Sequence, residues 1–293
     1  MSKISDLIGN TPLVEIRRII KKNKVQVFSK LEGQNPGGSV KDRAAFGMIT
    51  MALDRGDIKK GDHLVEATSG NTGIALAMIA SQYQLPITLI MPENSTQERI
   101  DTMRAYGAEV ILTPAKGTIE YSRSYAEELT QTKGYIMLNQ FANDDNWRMH
   151  YQTTGPEIWQ DTKQKITHFV SSMGTTGTIM GVSRFLKEQN PDVKIVGVQP
   201  KDGSRIPGIR RWSPEFLPKI FEASRVDQII DVSETEAKTM MKRMAKEEGI
   251  FAGVSSGGAL AAAEKLSQQI DEGLVVCIAC DRGDRYLSSG VFG

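Results

Sequence analysis

Lys41 closes the stretch Asn35-Pro36-Gly37-Gly38-Ser39-Val40-Lys41 and opens a run in which Ala45, Met48, Ile49 and Ala52 recur at helical spacing. Two glycines free the backbone before it. Ser39 is positioned as a helix cap, and Asp42 three residues on completes a capping-box pattern. The Lys41 amine is therefore expected in a first helical turn, where the positive end of the helix dipole mildly repels a cation. Such a position suits a lysine that works as a neutral amine or as an imine; the plainer alternative is a solvated cation at a loop–helix junction.

Three further turns are richer in polar groups than capping requires. Thr68-Ser69-Gly70-Asn71-Thr72-Gly73 gathers hydroxyls, an amide and free N–H groups at a helix start, which suits a carboxylate or another anion. Gly174-Thr175-Thr176-Gly177-Thr178 would hold a phosphate without any lysine. It matches neither the triphosphate nor the dinucleotide glycine fingerprint, which leaves a phosphate monoester on a small cofactor. Gly253-Val254-Ser255-Ser256-Gly257-Gly258 opens a third helix. Cys277 and Cys280 share an apolar strand whose period of two points them to opposite faces, so they neither chelate nor bridge together. Cys277 reads as a buried core residue. Cys280 ends its strand beside Asp281, on the side where α/β sheets bind ligands.

The elements that must position these turns alternate along the chain. Strands are expected at 63–67, 87–91, 109–112, 135–138, 167–172, 194–198 and 274–280, with helices between them. The Lys41 helix closes at Gly56, and a second capping box, Ser95 with Glu98, opens a helix that stops at Gly107. Residues 199–224 form a long irregular segment of the kind that is often functional. This alternation defines an α/β fold: two doubly wound lobes with mostly parallel sheets and a cleft between them.

The 293 residues carry 36 Lys+Arg against 35 Asp+Glu, so the net charge of +1 gives no footprint for nucleic acid or anionic lipid. No apolar run is long enough to span a bilayer. The start of the chain lacks a secretory leader pattern, and two cysteines suit a reducing compartment, so a cytoplasmic protein is expected. His63, His150 and His168 are too scattered to suggest a metal cluster. No closing helix is read before Gly293, so a truncated C-terminus is one expectation.

Together these stretches resemble the cysteine synthase (O-acetylserine sulfhydrylase) family of fold-type II pyridoxal-phosphate enzymes. The likeness runs from Ile8-Gly9-Asn10-Thr11-Pro12-Leu13-Val14 to Arg285-Tyr286-Leu287-Ser288. Thr153-Thr154-Gly155-Pro156-Glu157-Ile158-Trp159 and Pro207-Gly208-Ile209-Arg210-Arg211-Trp212 make it most like the B type of that family. The resemblance implies pyridoxal 5'-phosphate held as an aldimine on Lys41, which then removes and returns the substrate Cα proton. It implies loss of acetate from O-acetyl-L-serine to an aminoacrylate, and addition of sulfide to give L-cysteine. Gly174, Thr175, Thr176, Gly177 and Thr178 correspond to the phosphate cup, and Asn71 to the partner of the cofactor's phenolic oxygen. Thr68, Ser69, Thr72 and Gln140 correspond to the carboxylate site.

Ser255 is the family-based partner of the ring nitrogen. Cys280 stands where A-type enzymes carry serine, which leaves Ser255 and Cys280 both open for that role. Arg210 is expected to help thiosulfate compete with sulfide, yielding S-sulfocysteine, unless it forms only a surface ion pair. The implied division is a smaller, mobile, substrate-binding domain at 40–145 and a larger cofactor-binding domain at 1–39 plus 146–293. A homodimer is implied as well. Competing readings are a cystathionine β-synthase-like or serine/threonine dehydratase-like enzyme, or a silent binding protein on the same scaffold.

Overall fold

In the computed structural model, which describes residues 3–68 and 70–293, strands and helices alternate as the sequence pattern requires. The strands are β1 (Leu13–Glu15), β2 (Val25–Leu31), β3 (Leu64–Ala67), β4 (Ile87–Pro92), β5 (Glu109–Thr113), β6 (Ile136–Met137), β7 (His168–Ser172), β8 (Lys194–Pro200), β9 (Gln228–Val232) and β10 (Gly273–Ala279). The helices are α1 (Lys41–Arg55), α2 (Asn71–Gln82), α3 (Gln97–Ala105), α4 (Thr118–Lys133), α5 (Asp144–Met149), α6 (Gly155–Asp161), α7 (Gly177–Gln189), α8 (Glu234–Glu248) and α9 (Val254–Gln269). A π-type turn, His150–Thr154, joins α5 to α6.

Two sheets result. The larger has the order β1-β2-β10-β7-β8-β9 and is parallel except where β1 meets β2. The smaller, β5-β4-β3-β6, is parallel throughout. Parallel strands are buried on both faces, which is why β10 reads as an unbroken apolar run. Its alternate residues serve two cores. Val275 and Cys277 pack with Met240, Met241 and Leu260 under α8 and α9, while Val276 and Ile278 pack with Phe169 and Ile179 under α7. In the smaller sheet Leu64 and Leu89 meet Met48 and Leu76 of α1 and α2, and Val65 and Ile90 meet Ala126 of α4.

Both capping boxes proposed above fail because another donor takes the acidic residue, a local one for Asp42 and a tertiary one for Glu98. The Asp42 carboxylate accepts from Gly37 N at 2.6 Å instead of from Ser39. Glu98 accepts from Ser288 N at 3.0 Å and Ser288 Oγ at 2.7 Å, binding α3 to the C-terminal segment. The strands β1, β2 and β9 were not anticipated. In β2 the pattern is obscured by Lys30, a polar residue that is nevertheless fully buried against carboxylates.

Candidate active site

The first helical turn of α1 is fixed from outside the helix. Val40 N donates to Cys280 O at 2.8 Å, Ser39 bridges to Asp281, and Arg282 N donates to Gly38 O at 3.3 Å. Gly38 has φ +82°, and a Cβ there would press on the Arg285 guanidinium, so only glycine brings the two segments this close. These contacts set Lys41 at the carboxyl end of β10, beside Cys280 and Asp281. Burial lowers the Lys41 amine pKa, opposed by Cys280, Asp281 and Glu32. Desolvation, more than the helix dipole assumed from sequence, therefore favours its neutral form.

Arg43, two residues on in the same first turn, is fully buried. Its Nε and Nη2 donate to the two Glu32 oxygens at 2.8 and 2.9 Å, and its Nη1 and Nη2 to those of Glu157 at 2.6 and 2.7 Å. Lys30 adds Glu157 at 3.0 Å and Asp161 at 2.8 Å, and Thr11 and Asn35 each donate to Glu32 at 2.7 Å. Burial alone would raise the Glu32 carboxyl, but Arg43, Thr11 and Asn35 together hold it down at about 2. This network ties β2, α1 and α6 together beneath the lysine.

A cavity of about 510 Å³ opens above Lys41, between the two sheets and at the carboxyl ends of β3, β7 and β10. Thr68, Asn71, Thr72, Gln140, Gly174, Thr175, Thr178, Ser255, Cys280 and Arg210 all line it. Thr176 and Gly177 belong to the same turn without lining the cavity, and Ser69 lies outside the described residues. At the start of α2, Thr68 Oγ1 accepts from Gly70 N at 3.3 Å and Gly73 N at 3.1 Å, while Thr72 Oγ1 donates to Gln140 Oε1 at 2.7 Å. Asn71 is gripped at both ends of its amide: Nδ2 donates to Asp281 Oδ2 at 2.7 Å, and Oδ1 accepts from Arg285 Nη1. One Nδ2 hydrogen remains for a ligand acceptor.

The turn into α7 fits a phosphate on two observations. Thr176 holds φ +71°, a strained conformation for a β-branched residue of the kind that gathers at ligand clamps. Its hydroxyl is buried without a hydrogen-bond partner. Behind the turn, His150 is pushed down to about 3 by burial and by Arg43, so it is a neutral ring, hydrogen-bonded to Thr178 at 3.3 Å and Thr154 at 2.9 Å. The 207–212 loop packs directly on the turn, with Trp212 Nε1 donating to Gly174 O at 2.8 Å and Arg210 N to Met173 O at 2.8 Å. A Cβ on Gly174 would sit 2.6 Å from Gly208 O.

Ser255 is buried in the first turn of α9, and its carbonyl accepts from Ser172 Oγ at 3.0 Å. Cys280 lies immediately past β10, its thiol pushed up to about 11 by burial and by Asp281. Both cysteines are free thiols, Cys277 buried and Cys280 partly exposed. Arg211 pairs with Asp231 at 2.6 Å and Asp202 at 3.1 Å, whereas Arg210 is exposed at the rim and acts electrostatically on Glu120. No metal-holding group of His, Cys, Asp and Glu occurs among the described residues.

Sequence reasoning missed Asp281, Arg285, Asn146 and Glu66 as site-shaping residues. Asp281 Oδ2 takes both Asn71 and the Tyr286 hydroxyl, each at 2.7 Å. Glu66 accepts from Asn139 N at 2.9 Å, next to Gln140, and its carboxyl is pushed up to about 8 by burial. Each acts on a partner far away in sequence, so no local spacing announces it.

A lysine at a helix start, facing a hydroxyl-rich turn across a cleft between two mostly parallel sheets, points to a class. Over residues 4–281 the chain matches the family described as pyridoxal-phosphate dependent enzyme, and it belongs to that family. Within it the chain is 59% identical over 289 residues to cysteine synthase B of Pseudomonas aeruginosa, covering 99% of this chain and 97% of that one. It is 57% identical over 293 residues to cysteine synthase B of Escherichia coli, covering 100% and 97%. Among solved structures, cysteine synthase from Entamoeba histolytica superposes with a TM-score of 0.93 at 34% identity, covering 100% of this chain and 90% of that one. An O-ureido-L-serine synthase superposes equally well, TM-score 0.93 at 35% identity, covering 100% and 95%. No helix among the described residues is long and apolar enough to cross a membrane.

Proposed function

We propose that this chain catalyses a pyridoxal-phosphate-dependent β-replacement that makes L-cysteine from O-acetyl-L-serine and sulfide. The observation that carries this reading is the meeting of Lys41, the α7 turn and the hydroxyl-lined start of α2 in one cavity. When bound, the cofactor carries the substrate amino group and takes up the electron pair left when the Cα–H bond breaks. The Lys41 amine, its pKa lowered by desolvation, removes that proton and later returns it to Cα. Acetate departs from Cβ, and sulfide takes its place.

Thr68, Thr72 and Gln140, together with Ser69, hold the substrate carboxylate. Because Thr72 donates to Gln140 Oε1, the Gln140 amide orients its Nε2 hydrogens toward that anion. Gly174, Thr175, Thr176, Gly177 and Thr178 hold the phosphate with the positive end of α7 behind them. Asn71 offers its remaining hydrogen to the phenolic oxygen. Ser255 would meet the ring nitrogen, with the Cys280 thiol, pushed up to about 11, beside it. A neutral hydroxyl there leaves the ring unprotonated, which favours elimination. Residues 40–145 act as the smaller lobe that closes on the substrate, and 1–39 with 146–293 as the larger one. The reading extends to a cytoplasmic homodimer.

Assays with purified protein decide it. O-acetylserine plus sulfide is expected to give cysteine far faster than serine plus homocysteine gives cystathionine, or threonine a keto acid. A faster rate on either alternative overturns the reading.

Arg210 is assigned to the sulfur donor: its exposed guanidinium at the cavity rim favours the dianion thiosulfate, giving S-sulfocysteine. Arg210→Ala is expected to lower kcat/KM for thiosulfate about tenfold, the worth of one charge-assisted hydrogen bond, and to leave sulfide within about twofold. Equal losses on both donors remove the assignment.

A further inference from the structure

Asn146 lies on α5, is 1% exposed, and touches both halves of the site at once. Its Nδ2 donates to Gln140 O at 2.8 Å and to Thr175 Oγ1 at 3.2 Å, so both amide hydrogens are committed. Gln140 in turn is bonded to Thr72. A continuous chain therefore runs Thr72–Gln140–Asn146–Thr175, from the start of α2 to the turn before α7. The amide is also locked in place. A Cβ on Gly177 would lie 2.0 Å from Asn146 Oδ1, so the first residue of α7 is glycine where the Asn146 side chain crosses it.

The bond directions give this chain a chemical consequence. Thr175 Oγ1 accepts from Asn146, which frees the Thr175 hydroxyl hydrogen to donate outward into the cavity that the residue lines. Holding the Gln140 carbonyl likewise fixes the backbone from which the Gln140 amide reaches Thr72. Movement of Gln140 toward an anion pulls on the same amide that orients Thr175.

We propose that Asn146 is a positioning residue that couples the two anion subsites, so that a carboxylate bound at Thr72 and Gln140 tightens the hold of the 174–178 turn on phosphate. The coupling rests on the assignment of those two subsites made above. It is reciprocal, as any coupling between binding sites must be, and of the usual size, about 5–150-fold in affinity. Replacing Asn146 by aspartate reverses the hydrogen-bond direction at Thr175 and sets a carboxylate against the Gln140 carbonyl, so it should harm both subsites more than alanine does.

The test uses holoenzyme and ³¹P NMR of the bound cofactor phosphate, with and without saturating L-alanine, which has the carboxylate but no leaving group. Wild type is expected to show a phosphate resonance that shifts on addition of L-alanine. Asn146→Ala should still bind L-alanine while losing that response, and its KM for O-acetylserine should rise more than its kcat falls. Thr175→Val, which removes the acceptor and keeps the shape, should lose the response too, and the double variant should lose no more than either single one. If Asn146→Ala fails to fold, Thr175→Val alone decides. A response of wild-type size in either variant overturns the coupling. A wild type that takes up no cofactor, or shows no carboxylate response, instead overturns the subsite assignment beneath it.

Discussion

Lys41→Ala is expected to abolish cysteine formation, lowering kcat/KM by at least about 10³-fold, because it removes both the attachment point and the proton carrier. Desolvation at the carboxyl end of β10 lowers the pKa of this amine, against the opposing pull of Cys280 and Asp281. Arginine in its place should fail as completely, since a guanidinium stays protonated and cannot act as base. The 510 Å³ cavity, the α7 turn and the Asn71 cradle remain in such a variant, so cofactor binding should weaken without vanishing. Borohydride treatment followed by mass spectrometry checks this. The wild-type chain should gain the mass of the reduced cofactor on the peptide bearing Lys41, and the alanine variant should gain nothing. Cofactor fixed to a different lysine of the wild-type chain would overturn the assignment.

The second large effect is on stability. Arg43→Met leaves Glu32 fully buried without its cation, and breaking a buried pair from one side costs about 3–5 kcal/mol. That is a large share of the roughly 5–15 kcal/mol that holds a typical domain. Glu157 keeps Lys30 at 3.0 Å, so the damage centres on Glu32. Replacing Glu32 by leucine together with Arg43→Met removes the stranded charge and should recover part of the loss. Urea midpoints of wild type, Arg43→Met, Glu32→Leu and the double variant measure this, and an additive double variant would refute the pairing as the source. The pH dependence has a definite sign. Glu32 ionises at about 2 in the fold against an ordinary 4.5, so its contribution is complete above about 4.5 and fades as pH falls toward 2. The gap between wild type and Arg43→Met should therefore narrow in acid. Because Arg43 follows Lys41 by two residues, loosening this network also loosens the first turn of α1.

Some of this was legible in the sequence because it is local. The apolar run 274–279, the glycine stops at 56 and 249 and the polar turns after β3 and β7 each depend on residues within a few positions of one another. Reading Lys41 at a helix start required only Gly37, Gly38 and the helical spacing that follows. The capping boxes failed because the same side chains, Asp42 and Glu98, had other donors, Gly37 across the preceding turn and Ser288 across the molecule. Strand β2 went unread because Lys30 is polar by type and buried by circumstance.

By itself, then, the sequence determined the α/β alternation, the polar turns that open two helices and the lysine at the start of a third, since periodicity, capping chemistry and backbone freedom act over one or two turns. Only the tertiary structure decided what surrounds that lysine: Cys280 and Asp281 stitched to Val40 and Ser39, the Arg43–Glu32 pair beneath it, and Asn146 between Gln140 and Thr175. Those contacts join residues from 6 to 242 positions apart in the chain. Burial and charge, which set how a group ionises and what it can donate, exist only once such segments have been folded together.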